Sequence, residues 1–383
     1  MKLPVLIFPL ILLMLSCGLS SENTRRATHP ENLKIVAYVG RSAIDDMQIQ
    51  AQKITHINFA FANIIDGRVV EGRPGDSTYF DRLIALKRQN PNLKILCSVG
   101  GWSWSKEFSD AALTFESRER LARSAVNFMI RHDLDGLDLD WEYPGLPGDK
   151  NPHRPEDKEN FTALLKSIRE KLDKLSVQNQ KEKNDYYLLT IATGAFQAYL
   201  DHTDMRTAHQ YLDFINIMSY DFYTSGAKTT GHHTNLSPSY HNLTDYSMYA
   251  IKAVEQHINA GIPHQKLVLG TAFYGRGWEG VTPINNGLYQ EYSGSGLSYS
   301  YARLSAEYIN KNGFVRYWDD GAEAPYLWND STRTFITYDN PESLSLKADY
   351  VIEKGLGGVM FWEYSHDPSG VLLNALFEGL GKQ

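Results

Sequence analysis

Short apolar runs recur along the chain from residue 33 onward. They alternate with stretches whose apolar positions repeat at helical spacing. The runs predict strands at residues 33–39, 54–62, 93–99, 134–142, 186–193, 214–220, 267–274 and 357–364. The helical stretches fall at 80–89, 117–132, 155–175, 245–260 and 342–354. Most runs are nearly continuous in β-branched and apolar residues, as strands covered on both faces require. Eight β runs, most separated by an α run, predict an α/β fold: a closed parallel (β/α)8 TIM barrel. An open doubly wound sheet is the competing fold. The count of eight and the absence of a Gly-rich phosphate-binding turn argue against it.

The rhythm breaks once. Residues 279–337 are rich in Tyr, Gly, Asn and Ser and carry no long helical pattern. That is much longer than an ordinary βα connection. A small α+β insertion domain between the seventh and eighth strands is expected there, with 31–278 and 338–381 forming the barrel. Loops that follow barrel strands open on the active-site face, so the insertion would wall a cleft.

The fourth run reads Asp135-Gly136-Leu137-Asp138-Leu139-Asp140-Trp141-Glu142. Side chains alternate faces along a strand. Asp138, Asp140 and Glu142 therefore share one face, and Leu137, Leu139 and Trp141 share the other. Three carboxyls stacked on a buried strand cannot all stay ionised, because like charges raise one another's pKa. The natural use of such a stack is a site where one carboxyl keeps its proton and another stays charged. A structural or metal-binding stack is the alternative, and it must bear the cost of burying charge.

Composition narrows the function without choosing it. Hydrophobic residues make up 42% and charged residues 22%, which allows a large core and excludes a disordered chain. Aromatics reach 12%, which suits either a well-filled core or a surface that stacks on flat apolar faces such as sugar rings. The net charge of −7 disfavours nucleic acid and anionic lipid as partners and is compatible with a neutral substrate. Of two cysteines, Cys97 lies in an apolar run and reads as a small buried hydrophobe. No Cys/His spacing suggests zinc. His232-His233 sits in a polar stretch without a third ligand pattern, so no metal and no cofactor are expected.

The N-terminus reads as a processing segment. Lys2 precedes an apolar run from Val5 to Leu15, about a dozen residues and too short to span a bilayer comfortably. It ends Leu15-Ser16-Cys17, which resembles a bacterial lipobox whose cysteine is lipidated. Residues 1–17 are thus expected to be a signal and 18–30 a flexible tether, giving an exported, membrane-anchored lipoprotein. The alternative is an ordinary secretory signal cut near Ser20 or Ser21.

Barrel enzymes carry their chemistry at the C-terminal ends of strands. Here those ends supply Tyr38, Phe61, Ser98 with Gly100, Gly101 and Trp102, Glu142 with Tyr143, Met218 with Tyr220 and Asp221, Tyr274 with Arg276, and Trp362. One Glu among aromatics and a few carboxylates fits a sugar cleft. Asp135-x-x-Asp138-x-Asp140-x-Glu142 resembles the signature of family 18 glycoside hydrolases, the chitinases. Ser98-x-Gly100-Gly101, Met218-x-Tyr220-Asp221 and Trp362 resemble further motifs of that family, and residues 279–337 resemble its insertion domain.

The resemblance implies hydrolysis of β-1,4 linkages between N-acetylglucosamine units in chitin or its oligosaccharides. Glu142 would be the general acid and base, and the substrate's own acetamido oxygen the nucleophile. It also implies that Asp140 holds the acetamido N–H, Asp138 shares a proton with Asp140, and Tyr220 and Asp221 bond the reacting sugar. Trp362 would form the cleft floor. Tyr38, Phe61, Ser98, Gly101, Trp102, Tyr143, Met218, Tyr274 and Arg276 would line the site. Asp135, of opposite parity, would orient backbone. An endo-β-N-acetylglucosaminidase acting on N-glycans and a non-catalytic sugar-binding protein on the same fold are the alternatives. The insertion disfavours the first, and the presence of Glu142 the second. No separate carbohydrate-binding domain is visible, and a monomer that meets the membrane only through a lipid anchor is expected.

Overall fold

The computed structural model describes residues 32–242 and 248–382. The strands in chain order are β1 (Lys34–Val39), β2 (His56–Ile65), β3 (Arg68–Glu71), β4 (Lys94–Gly100), β5 (Gly136–Asp140), β6 (Leu188–Gly194) and β7 (Phe214–Met218). They continue with β8 (Leu267–Ala272), β9 (Tyr274–Trp278), β10 (Gly296–Ser300), β11 (Val315–Asp319), β12 (Ala324–Asn329), β13 (Thr334–Tyr338) and β14 (Gly358–Trp362). β1, β2, β4, β5, β6, β7, β8 and β14 pair in parallel in that order, and β14 pairs back to β1. The cylinder is closed, and its eight strands are the eight apolar runs. β3 adds an antiparallel hairpin to the rim of β2.

The alternating faces sort into two layers. Ile57, Phe59, Ile95, Cys97, Leu137, Leu139, Ile191, Ile215, Leu269 and Phe361 belong to the layer between sheet and helices. Val36, Tyr38, Phe214, Val268 and Met360 form a small separate cluster inside the barrel. The helices over the outer layer include Asp76–Ala85, Phe115–Arg131, Asp157–Gln178, Ala250–Asn259 and Pro341–Lys354. Their starts follow local chemistry more than periodicity. Thr114 and Ser117 form a capping box that starts Phe115–Arg131, and Asn340 with Ser343 does the same ahead of Pro341. A further helix, Val371–Gly379, escaped the periodicity reading.

The segment between β8 and the helix Pro341–Lys354 folds into a five-stranded antiparallel sheet in the order β10-β9-β13-β12-β11. Its first strand is β9, so the sheet starts at Tyr274, before the expected boundary at residue 279. The run read as one seventh strand is split after Ala272: β8 stays in the barrel and β9 leaves it. Phe273 at the split stacks on Phe361 with centroids 4.2 Å apart and planes at 8°.

A buried ion pair and a buried His–Asp contact tie this sheet to the barrel rim. Lys347 Nζ lies 2.6 Å from Asp339 Oδ2 and donates to Thr234 Oγ1 at 2.9 Å. Asp339 also accepts from the backbone N–H of Ala272 at 3.2 Å. His232 Nε2 lies 3.1 Å from Asp319 Oδ2, which Ser239 also bonds. Both contacts are excluded from solvent, and stripping one partner from a buried ion pair such as Lys347–Asp339 costs roughly 3–5 kcal/mol. His232 and His233 lie in a loop, as expected, and both are fully buried. Asp319, brought from the second sheet, makes that burial possible for His232.

Candidate active site

β5 delivers the carboxylates as its parity requires. Trp141 points outward and stacks on Phe108 at 5.2 Å and 9°. On the other face Asp138 is 0%, Asp140 4% and Glu142 9% exposed. Asp135, of opposite parity, stays at the other end of the strand. There it accepts from the Ile95 N–H at 2.7 Å and pairs with Lys87 at 2.7 Å.

Asp138 sits deepest and is ringed by donors. Tyr38 Oη (2.8 Å) and Ser98 Oγ (2.7 Å) bond one oxygen, while Thr190 Oγ1 (2.6 Å) and Asn216 Nδ2 (3.4 Å) bond the other. Burial raises its pKa, and these hydrogen bonds oppose the rise. Asp140 has less help, since Oδ1 has no hydrogen-bond partner among the described residues. Burial, then the charges of Glu142 and Asp138, push its pKa well above the usual carboxylate range. Glu142 is pushed up to about 7, chiefly by burial; a hydrogen bond with Tyr143 opposes this and the Asp221 charge adds to it. Burial thus raises the proton affinity of all three carboxyls, and like charge adds to it at Asp140 and, from Asp221, at Glu142.

The end of β4 is shaped to pass under this stack. Gly100 has φ +105°, and a Cβ there would lie 2.5 Å from the Asp140 carbonyl oxygen. The neighbouring Gly101 N–H donates to that same oxygen at 2.8 Å. A Cβ on Gly101 would meet the Phe61 ring at 2.8 Å, so Phe61 occupies the room that the missing side chain leaves.

Aromatics surround the carboxylates. Phe61 stacks on Trp362 at 5.5 Å and 20°, and Tyr38 lies 5.7 Å from the same indole. Tyr220 meets Tyr274 edge-on at 6.1 Å. The Tyr220 hydroxyl lies 3.8 Å from Met360 Sδ, and Met218 packs against the same interior cluster. Trp102 is 52% exposed and meets Tyr143 edge-on at 6.4 Å. Three non-proline cis peptide bonds, Ala60–Phe61, Glu142–Tyr143 and Trp362–Glu363, fall among these residues.

Asp221 anchors the β9 side. Its Oδ1 accepts from Tyr274 Oη at 2.7 Å and Arg276 Nε at 2.8 Å, and its Oδ2 from Arg276 Nη2 at 2.6 Å. Burial would raise its pKa, but His233 and the Arg276 guanidinium hold it well below the usual range. His233 Nδ1 stands 3.6 Å from Asp221 Oδ1, beyond hydrogen-bond length. Tyr274 and Arg276, expected as rim residues of a barrel strand, reach the site from β9 of the second sheet.

The sequence-predicted site residues of the barrel are thus brought to one mouth; Cys17 lies outside the described residues. Sequence reasoning missed Thr190 and Asn216, which share the inward parity on β6 and β7, and Ser105, Asn151 and His233, which lie on loops. Among the described residues no three His, Cys, Asp or Glu side chains are grouped to hold a metal ion. A flank hollow of about 500 Å³, bordered by Gln48, Gln50, Gln52 and Gln89, shares no residue with this mouth.

A barrel whose strand ends gather a stack of proton-bearing carboxyls within an aromatic surround has the class of site that glycosidases use. The chain matches the model of glycosyl hydrolases family 18 over residues 34–367 and belongs to that family. It is 41% identical to chitinase A1 of Niallia circulans, over 86% of this chain and 55% of that protein, so it spans about half that relative's length. It is 34% identical to chitinase 1 of Aphanocladium album, over 88% of this chain and 81% of that one. Among solved structures it superposes on a family 18 N-acetylglucosaminidase from Paenibacillus barengoltzii with a TM-score of 0.85 and 42% identity. That match covers 91% of this chain and 100% of the other.

The raised pKa of Glu142 can be read directly. In a titration of 13C-carboxyl-labelled protein, one Glu signal should stay protonated through weak acid and lose its proton near pH 7. Glu142→Gln should abolish that signal. A wild type in which every Glu has titrated by pH 5.5 would contradict the burial argument.

Proposed function

We propose that this protein is a chitinase that cleaves β-1,4 linkages between N-acetylglucosamine units in chitin or chitooligosaccharides. The observation that carries the reading is Glu142: a carboxyl at the barrel mouth whose pKa is pushed up to about 7, so that it can both give and take a proton near neutral pH. Glu142 passes its proton to the glycosidic oxygen as that bond breaks. The acetamido carbonyl oxygen of the same sugar attacks the anomeric carbon and forms an oxazolinium ion. Water then adds from the vacated side and gives its proton to the Glu142 carboxylate, so configuration is retained. Asp140 holds the acetamido N–H, its free Oδ1 being the supporting observation. Asp138 shares a proton with Asp140. Tyr220 donates to the acetamido oxygen, Asp221 bonds the sugar, and Trp362 forms the floor.

A second reading, release of single N-acetylglucosamine units, draws on the full-length likeness to the Paenibacillus barengoltzii N-acetylglucosaminidase. The first products from defined oligomers separate the two, because internal cuts and disaccharides belong to the first reading and monosaccharide to the second. Glu142→Gln keeps the shape and removes the transferable proton. It should lower kcat on a chitooligosaccharide by roughly 10²–10⁴-fold with the fold intact. Near-normal turnover by this variant would refute the assignment.

We also propose that Cys17 is lipidated and that acyl chains hold the protein to a membrane on the exported side, which the apolar run ahead of Ser16-Cys17 supports. Cys17→Ser should move the protein from the membrane fraction to the soluble exported fraction. A wild type found wholly soluble, with its N-terminus beyond residue 17, would overturn the proposal.

A further inference from the structure

The β5 ladder ends at Asp140, opposite Gly100. Two residues on, the Glu142 peptide groups are buried without a strand to pair them, so side chains must supply the partners. They come from two different loops. The Glu142 N–H donates to Ser105 Oγ at 2.9 Å. Ser105 Oγ lies in turn 2.9 Å from the Gly101 carbonyl oxygen and 3.0 Å from that of Asp140. The Glu142 carbonyl accepts from Asn151 Nδ2 at 2.6 Å. Both side chains are buried.

The loop bearing Asn151 is built for close approach. A Cβ on Gly148 would lie 2.1 Å from the Glu142 carbonyl oxygen and 2.6 Å from Asn151 Nδ2, so only glycine lets the loop close over that carbonyl. Asp157, fully buried, fixes the loop at both ends. Its Oδ2 accepts from the N–H groups of Gly145 (3.2 Å) and Arg154 (2.8 Å), and its Oδ1 from Ser109 Oγ at 2.7 Å.

We propose that Ser105 and Asn151 are positioning residues that clamp the Glu142 peptide from both sides and so aim its carboxyl at the glycosidic oxygen. The proposal rests on the reading of Glu142 as proton donor. A clamp on the backbone fixes where the side chain starts, and misplacement of a reacting group by about 1 Å can cost on the order of 10²-fold in rate. Asn151 therefore acts through Glu142 and touches no substrate.

Leaving groups separate aiming from plain structural support. A sugar hydroxylate needs a proton to depart, whereas 2,4-dinitrophenolate does not. The comparison is kcat/KM, which reports the first bond-breaking step, on chitotetraose and on 2,4-dinitrophenyl chitobioside. Asn151→Ala and, independently, Ser105→Ala should each lose about 10- to 100-fold on chitotetraose but less than about threefold on the activated substrate. Glu142→Gln, run alongside, should show the same split more strongly. If Glu142→Gln shows the split while both clamp variants lose equally on the two substrates, the clamp is overturned and the proton-donor reading stands. If Glu142→Gln itself loses equally on both, the proton-donor reading fails and the clamp fails with it.

Discussion

Burying like charge on one strand is the constraint on which the rest of this structure depends. The alternation of β5 leaves Asp138 and Asp140 no side but the barrel interior, and Glu142, two residues past its end, is buried beside them. Burial there makes each carboxyl costly as an anion, and the charges of Glu142 and Asp138 add to that cost at Asp140. The barrel meets that cost unevenly. Four donors converge on Asp138, one Asp140 oxygen has none among the described residues, and Glu142 sits nearest the mouth. The outcome is uneven: Asp140, between the other two, is pushed well above the usual carboxylate range, and Glu142 is pushed up to about 7.

The surrounding fold serves that stack. The polar inward positions of β1, β4, β6 and β7 (Tyr38, Ser98, Thr190 and Asn216) are spent on Asp138 rather than on filling the core. The second sheet contributes Tyr274 and Arg276, which both bond Asp221, and the Arg276 guanidinium helps to hold its pKa low beside the stack. That contribution requires β9 to leave the rim directly after β8. The buried Lys347–Asp339 pair, bonded to the Ala272 N–H, fixes the point of departure.

Much of this was legible in the sequence because it rests on periodicity. The eight apolar runs became the eight barrel strands, and the two-residue period of residues 135–142 placed three carboxyls inside and Trp141 outside. What stayed hidden depends on long-range partners. Nothing in the polar stretch around His232 marks it as buried until Asp319, 87 residues away, comes to meet it. The break between β8 and β9 falls inside a continuous strand-like run, so alternation alone could not find it. Ser105 and Asn151 lie on loops, where no period marks a side chain that serves another residue's backbone. Thr190 and Asn216 were within reach, because each shares the inward parity of its strand, but a single polar residue in an apolar run carries little weight alone.

A stack that holds its protons makes a good acid and a poor nucleophile. Asp140 is buried, with a pKa pushed well above the usual carboxylate range, which weakens it as a nucleophile. Under the proposed function the nucleophile must then come from the substrate, and the acetamido group is the one within reach of the bond that breaks. The most direct measurement compares kcat/KM on N-acetylated chitotetraose with that on its fully deacetylated counterpart. The account predicts ready turnover of the first and none detectable of the second. Hydrolysis of the two within tenfold of each other would contradict it.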